Sequence, residues 1–273
     1  MRLTLLAFLL LTSAGCISEE RELEIGNAMA AEVNPRLPLI EDPILNAYVY
    51  GVGRRLAVVS ERPDLPYHFY IINSDVVNAF ALPGGHVYLT RGLIEQTRDG
   101  SEFAGVLAHE IGHVAARHGV QKLQRELRTG SLVNVLYNLI LGGEPDLLRE
   151  NSLQLANVVW SAQHSRGDEK EADRLAIRYL LRAGVDPEGV VTLLQKLLSE
   201  ERRSRDEPGR VQNWFSTHPL TADRIREAEV FTERLASEEE QQVSDLNLQS
   251  FAAFKTLVSR TASAEGGGAH LEL

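Results

Sequence analysis

Between Phe103 and Val114 the sequence sets His109, Glu110 and His113 into an otherwise apolar run that includes Phe103, Val106, Leu107, Ile111 and Val114. That pattern predicts a buried helix from Glu102 to about His118. Burying two imidazoles and a carboxylate without partners would cost several kcal/mol, and a bound metal removes that cost. Residues four apart on a helix differ by roughly 40° in direction, so His109 and His113 share a face and can each give a nitrogen to one Zn²⁺. Glu110 is rotated by about 100° from His109. Its carboxylate therefore stays off the metal but near a water at the open coordination position. It is placed there as general base, and then as proton donor to a leaving amine. An HExxH helix with this mechanism points to hydrolysis of a peptide bond.

Such a site needs a third protein ligand and one free position. A histidine ten residues after the first would serve, but that place holds Gly119, and Ala116 stands where a glycine would precede it. His118 is out of register on a continuous helix, and is expected to point away from the His109/His113 face and to favour the helix dipole. The better candidate is Glu169 in Ser165-Arg166-Gly167-Asp168-Glu169-Lys170-Glu171-Ala172-Asp173. Glu169 and Asp173 share a helix face, with Ala172 and Ala176 small enough for close packing, whereas Glu171 lies about 200° round from Glu169. Glu169 is expected to bind zinc, and Asp173 to hydrogen-bond the far nitrogen of a zinc-bound histidine.

The first fifteen residues have the look of a secretory signal: Met1-Arg2 is a short positive start, Leu3 to Leu11 is apolar, and Ser13-Ala14-Gly15 is small. The single cysteine, Cys16, follows at once and cannot make an internal disulfide. It is expected to be acylated as the mature N-terminus, although Ser13 stands where lipoprotein signals usually carry leucine. With Ile17-Ser18 and no Asp next in the chain, likeness to bacterial lipoproteins implies the periplasmic face of the outer membrane. A formal charge of −10 argues against a nucleic-acid partner and against a polybasic lipid-binding patch.

Three units are expected: the signal over 1–15, a metallopeptidase domain over 16–236, and a helical segment with a tail over 237–273. Helices are expected over Ser18 to Val33, from Asp42-Pro43 to about Val59, over Val120 to Leu141, Asp146 to Gln163 and Asp168 to Ala183, after Asp186-Pro187, and over Pro219 to about Ala236. Leu132 to Leu141 is apolar but interrupted by Asn134 and Asn138 and too short to span a bilayer, so it reads as a core or lid helix. Tyr67 to Ile72 is β-rich, and Asn78 to Thr90 reads as a strand, a Pro83-Gly84-Gly85 turn and a return strand.

Four ordered segments, namely Asn78 to Leu93, the HEIGH box, the 165–173 segment and Ser216-Thr217-His218-Pro219 with Arg224-Ile225, carry a resemblance. From Ala28 to about Glu229 the chain resembles the HtpX/BepA/LoiP-like (CAAX prenyl protease-type) zinc metallopeptidases, most of all the short lipid-anchored periplasmic members. The resemblance implies a mostly helical α+β, zincin-like (gluzincin) domain with a small antiparallel sheet and one Zn²⁺ per chain. The family's ExxxD motif falls on Glu169 and Asp173. It implies an endopeptidase that degrades misfolded or unassembled envelope proteins, with the outer-membrane assembly machinery as a further partner. Asn78, Ala79 and Phe80, with the Gly84-Gly85 turn, are expected to form an edge strand above the zinc that pairs with extended substrate; the alternative is a plain hairpin with Phe80 in the core. His218 is expected to donate to the tetrahedral oxyanion or to occupy the open position temporarily, with Arg224 holding it or stabilising charge; a satisfied structural histidine is the alternative. A competing reading is a periplasmic chaperone or assembly factor with latent or no peptidase activity, against which the intact Glu110 speaks.

Overall fold

The computed structural model describes residues 17–129, 164–203, 217–238 and 250–264. The signal, Cys16, Leu132 to Leu141, the 146–163 helix and the tail from 265 lie outside these residues.

Helix α1 (Glu19–Val33) starts where Ser18 accepts a hydrogen bond from the Arg21 amide at 3.2 Å, and it buries Ile25, Met29 and Val33. Helix α2 (Pro43–Ala57) starts at Asp42, whose carboxylate takes the Ile44 and Leu45 amides at 2.8 and 3.0 Å. Both caps satisfy amide groups that the first helical turn leaves without a partner.

Three strands follow: β1 (His68–Ile72), β2 (Ala79–Leu82) and β3 (His86–Thr90). The β2–β3 hairpin is antiparallel, but β1 joins the other side of β3 in parallel, so the sheet is mixed, in the order β1–β3–β2. The 73–78 connection carries the chain across β3's place to the far edge, so a meander is not formed. Gly84 (φ 78°) and Gly85 (φ 91°) make the tight turn in a conformation that side chains rarely adopt. Both are buried, Gly84 against α1 and Gly85 against the Leu65–Pro66 segment.

After the sheet come α3 (Arg91–Gln96), α4 (Gly100–Ala115), α5 (His118–Thr129), α6 (Arg166–Arg182), α7 (Glu188–Arg203), α8 (Ala222–Glu238) and α9 (Phe251–Ala264). Helix α4 carries the HEIGH sequence through the centre of the fold, and every residue from Glu102 to Val114 is buried. One shared core includes Leu45 and Leu56 of α2, Leu89 of β3, Phe103 and Leu107 of α4, Ile177 of α6 and Leu194 of α7. Full burial of one such side chain contributes about 1.5–3 kcal/mol. Helix α9 enters the same core: Phe254 stacks on Tyr48 with ring centroids 4.2 Å apart, and Phe251 lies 5.5 Å from Phe103. Among the described residues no helix is long and apolar enough to cross a membrane.

Helix α4 ends sooner than the apolar pattern implies. Arg117 has φ 60°, and the chain turns there before α5 begins at His118. A non-glycine residue in this region costs about 1 kcal/mol or more and persists only where its surroundings impose it. Here Arg117 donates from Nε to the buried carboxylate of Glu22 at 2.8 Å and from Nη2 to the Ile17 carbonyl at 2.7 Å. Glu22 also accepts from Arg62 at 2.8 Å.

His86 opens β3 almost fully buried. Tyr70 Oη donates to its Nδ1 at 3.1 Å, and its Nε2–H donates to Asn27 Oδ1 at 3.0 Å, which fixes the neutral ring. Burial, aided by the neighbouring His68, pushes its pKa down from 6.5 to about 4. Above pH 6.5 the ring is neutral in folded and unfolded chains alike. As the pH falls, the unfolded chain gains a proton that the folded one refuses until about pH 4. Stability should therefore decline between those two values by roughly 3 kcal/mol. Urea unfolding of wild type and His86→Gln across this range checks it; parallel curves would refute it.

Candidate metal centre

His109 and His113 stand one turn apart on α4, and α6 packs beside them because Gly112 presents no side chain. A Cβ at Gly112 would lie 3.1 Å from the Ala172 carbonyl oxygen. This close approach brings Glu169 into the helix pair. Ser165 begins α6 with a reciprocal capping box to Asp168, which sets the register that points Glu169 and Asp173 inward.

The donor atoms converge. His113 Nε2 is 3.1 Å from His109 Nε2 and 3.3 Å from Glu169 Oε1, and His109 Nε2 is 3.6 Å from Glu169 Oε2. Four atoms bonded at 2.0–2.1 Å to a tetrahedral ion are separated from one another by about 3.3 Å. The spacing and the N, N, O donor set therefore fit zinc, as do the ring states: burial holds the His113 pKa well below its ordinary value, which keeps the lone pair that a ligand needs. His109, His113, Glu169 and His218 form a buried group in which one ligand atom from each lies within 4.8 Å of the others.

His218 lies in a short stretch just before α8. Its Nδ1 is 3.1 Å from Glu169 Oε1 and 3.4 Å from His109 Nε2, so it takes the fourth corner. Its Nε2 sits 3.6 Å from Glu110 Oε1, an atom that is buried and makes no hydrogen bond among the described residues. Burial raises the Glu110 pKa, against the opposing influence of His218 and His109. For His218 burial works against protonation, but the Glu169 carboxylate outweighs it and the pKa rises.

Asp173 Oδ1 accepts from His109 Nδ1 at 3.0 Å, which fixes that ring with Nε2 toward the metal position. Arg224 is fully buried behind it. Its Nε and Nη2 hold both oxygens of Asp173 at 2.7 and 2.9 Å, and its Nη1 donates to the Pro219 carbonyl at 3.0 Å and pairs with Glu169. Burial alone would raise the Glu169 and Asp173 pKa values; His218 and Arg224 hold Glu169 well down, and Arg224 holds Asp173 down. The guanidinium thus lies on the protein side of the ligands.

The expectation for His118 is corrected. On a continuous helix it would lie roughly 140° round from His113. The turn at Arg117 swings it back, and its Nδ1 comes 2.9 Å from His113 Nδ1. His164 is a further residue that sequence reasoning missed: its ring lies 4.0 Å from that of His113 and 5.3 Å from that of His218. Its neighbour Ser165 was read only as the start of the acidic segment, and no spacing rule ties residue 164 to the HEIGH box. Glu171, placed off the Glu169 face, has a side chain that is 54% exposed.

Strand β2 stands at the edge of the sheet, paired with β3. Ala81, Leu82 and Pro83 line a narrow cleft together with His113 and His164, so the edge and the metal centre share one opening. Phe80 stacks on Tyr88 at 4.6 Å and is buried. The Asn78 side-chain oxygen is buried and makes no hydrogen bond among the described residues.

The model of peptidase family M48 matches residues 43–231, a span that holds both helices of the cluster and His218. The chain belongs to peptidase family M48. Among similar proteins, the beta-barrel assembly-enhancing protease of Yersinia pestis is 35% identical over 225 residues, which is 80% of this chain and 45% of that protein. Mitochondrial metalloendopeptidase OMA1 of Schizosaccharomyces pombe is 31% identical over 182 residues, or 67% of this chain and 51% of its own. Metalloprotease YcaL of Escherichia coli is 28% identical over 190 residues, 68% of this chain and 70% of that one. The chain spans about half the length of the first two relatives. Within the M48 match, the buried group on the helix pair α4 and α6 is one that could hold a metal ion, in a zincin-like fold.

Proposed function

We propose that the chain is a zinc-dependent endopeptidase that acts on misfolded or unassembled proteins of the cell envelope. The observation that carries the reading is the convergence of His109, His113 and Glu169 at tetrahedral spacing, with an unengaged Glu110 oxygen beside them. These three side chains would hold the metal. Zinc so held is a Lewis acid and lowers the pKa of water from 15.7 to about 7. Glu110 takes the proton of the attacking water and delivers it to the departing amine, a task that its burial-raised pKa suits. The β2 edge, which lines the cleft beside His113, would align an extended substrate backbone there.

His218 stands at the fourth corner, with its Nε2 3.6 Å from Glu110 Oε1, and would have to leave that corner for substrate to enter; a donor so near the base would then serve the developing oxyanion. Asp173 and Arg224 keep the ligands in place. The envelope assignment is supported by the Yersinia relative's name and by the signal-like residues 1–15 with Cys16, read as a lipid anchor at the periplasmic face of the outer membrane. An assembly factor with a latent site is favoured only by the presence of His218 in the fourth position.

Chelation should abolish cleavage of an unfolded protein such as casein by the purified chain, and one equivalent of zinc should restore it. Cleavage that survives complete metal removal would end this reading.

A further inference from the structure

We propose that His118 is a positioning residue for the metal centre: it is the outer hydrogen-bond partner that orients His113, as Asp173 orients His109. The inference rests on the zinc reading above and deepens it. His113 Nδ1 is the ring nitrogen turned away from the donor cluster, and it meets His118 Nδ1 at 2.9 Å. With Nε2 of His113 given to the metal, its Nδ1 carries the hydrogen and donates to His118. His118 then accepts at Nδ1 and carries its own hydrogen at Nε2. That hydrogen faces Glu171 Oε2 at 3.4 Å and, more distantly, Asp168 Oδ1 at 3.9 Å. A hydrogen-bond relay therefore runs from His113 through a buried imidazole to the Glu171 carboxylate, with Asp168 standing further off.

The two imidazoles of the HEIGH helix are held unequally. His109 is backed by a buried carboxylate clamped by Arg224, whereas His113 is backed by another imidazole whose own support, Glu171, is half exposed. Contact alone could be packing. What singles out orientation is that His118 is 2% exposed, is aimed nitrogen to nitrogen, and reaches this place only through the left-handed turn at Arg117.

Zinc affinity measured by chelator competition tests the proposal, alongside thermal unfolding of the metal-free protein. Loss of an outer partner typically weakens metal binding by about 10–100-fold, and that loss is expected for His118→Ala. His118→Asn places an amide oxygen near the Nδ1 position and should recover most of the affinity. A His118→Ala protein that binds zinc as tightly as wild type overturns the proposal. So does equal weakening in both variants with lowered stability of the metal-free form, which marks a packing role. Wild type that binds no stoichiometric zinc would instead bring down the metallopeptidase reading, and this inference with it.

Discussion

Glu110→Gln leaves the metal centre assembled and slows peptide hydrolysis by about 10²–10⁴-fold, the range that a positioned acid–base group contributes. The variant keeps the size and the burial of the side chain but cannot take a proton. Zinc content should not change, because the metal's donors come from residues 109, 113 and 169, and Glu110 Oε1 lies on the His218 side of the cluster. Measuring the metal and the cleavage rate on the same preparation separates a lost base from a lost site. A variant that cleaves at the wild-type rate would remove Glu110 from the chemistry.

The second large effect is on stability. Arg224 reaches both inward-facing carboxylates of α6 inside the core, through a two-pronged grip on Asp173 and a contact with Glu169. Removing one partner of a buried ion pair costs about 3–5 kcal/mol, because the remaining charge stays desolvated. Arg224→Met should therefore destabilise the metal-free protein by that amount in urea unfolding, and zinc should offset part of the loss by neutralising Glu169. Lysine should rescue poorly, since it lacks the planar fork that spans both oxygens of Asp173. The pH dependence has a definite sign. Arg224 holds Asp173 below its ordinary pKa, so the stability it contributes is present above the unfolded carboxyl range and lost as acid protonates the folded group. The variant should unfold at a higher pH than wild type. A loss under about 1 kcal/mol would show that the pair is dispensable.

What could be read from the sequence was local and periodic. The HEIGH helix, the helix starts near Ser18 and Asp42, the β2–β3 hairpin and the inward face of Glu169 and Asp173 all follow from local sequence within one element. The features that escaped depend on residues far apart in the chain. Arg117 adopts its left-handed conformation because Glu22, nearly a hundred positions earlier, holds its guanidinium, and no helical periodicity encodes that partner. His118 was misplaced for the same reason. The parallel pairing of β1 with β3 depends on how the 73–78 connection crosses the sheet, whereas the alternation of side chains is the same for either direction. A helical segment is expected after residue 236, but not where it packs: the aromatic residues that receive α9, Tyr48 and Phe103, belong to two earlier helices.

The hinge-like joint at Arg117 ties the front of the chain to the chemistry. Its guanidinium grips the backbone at Ile17 while its own torsion sets where the next helix begins, and that helix starts with the ring that braces His113. A displacement of the backbone at residue 17 is thereby linked, through Arg117 and His118, to the ring of His113.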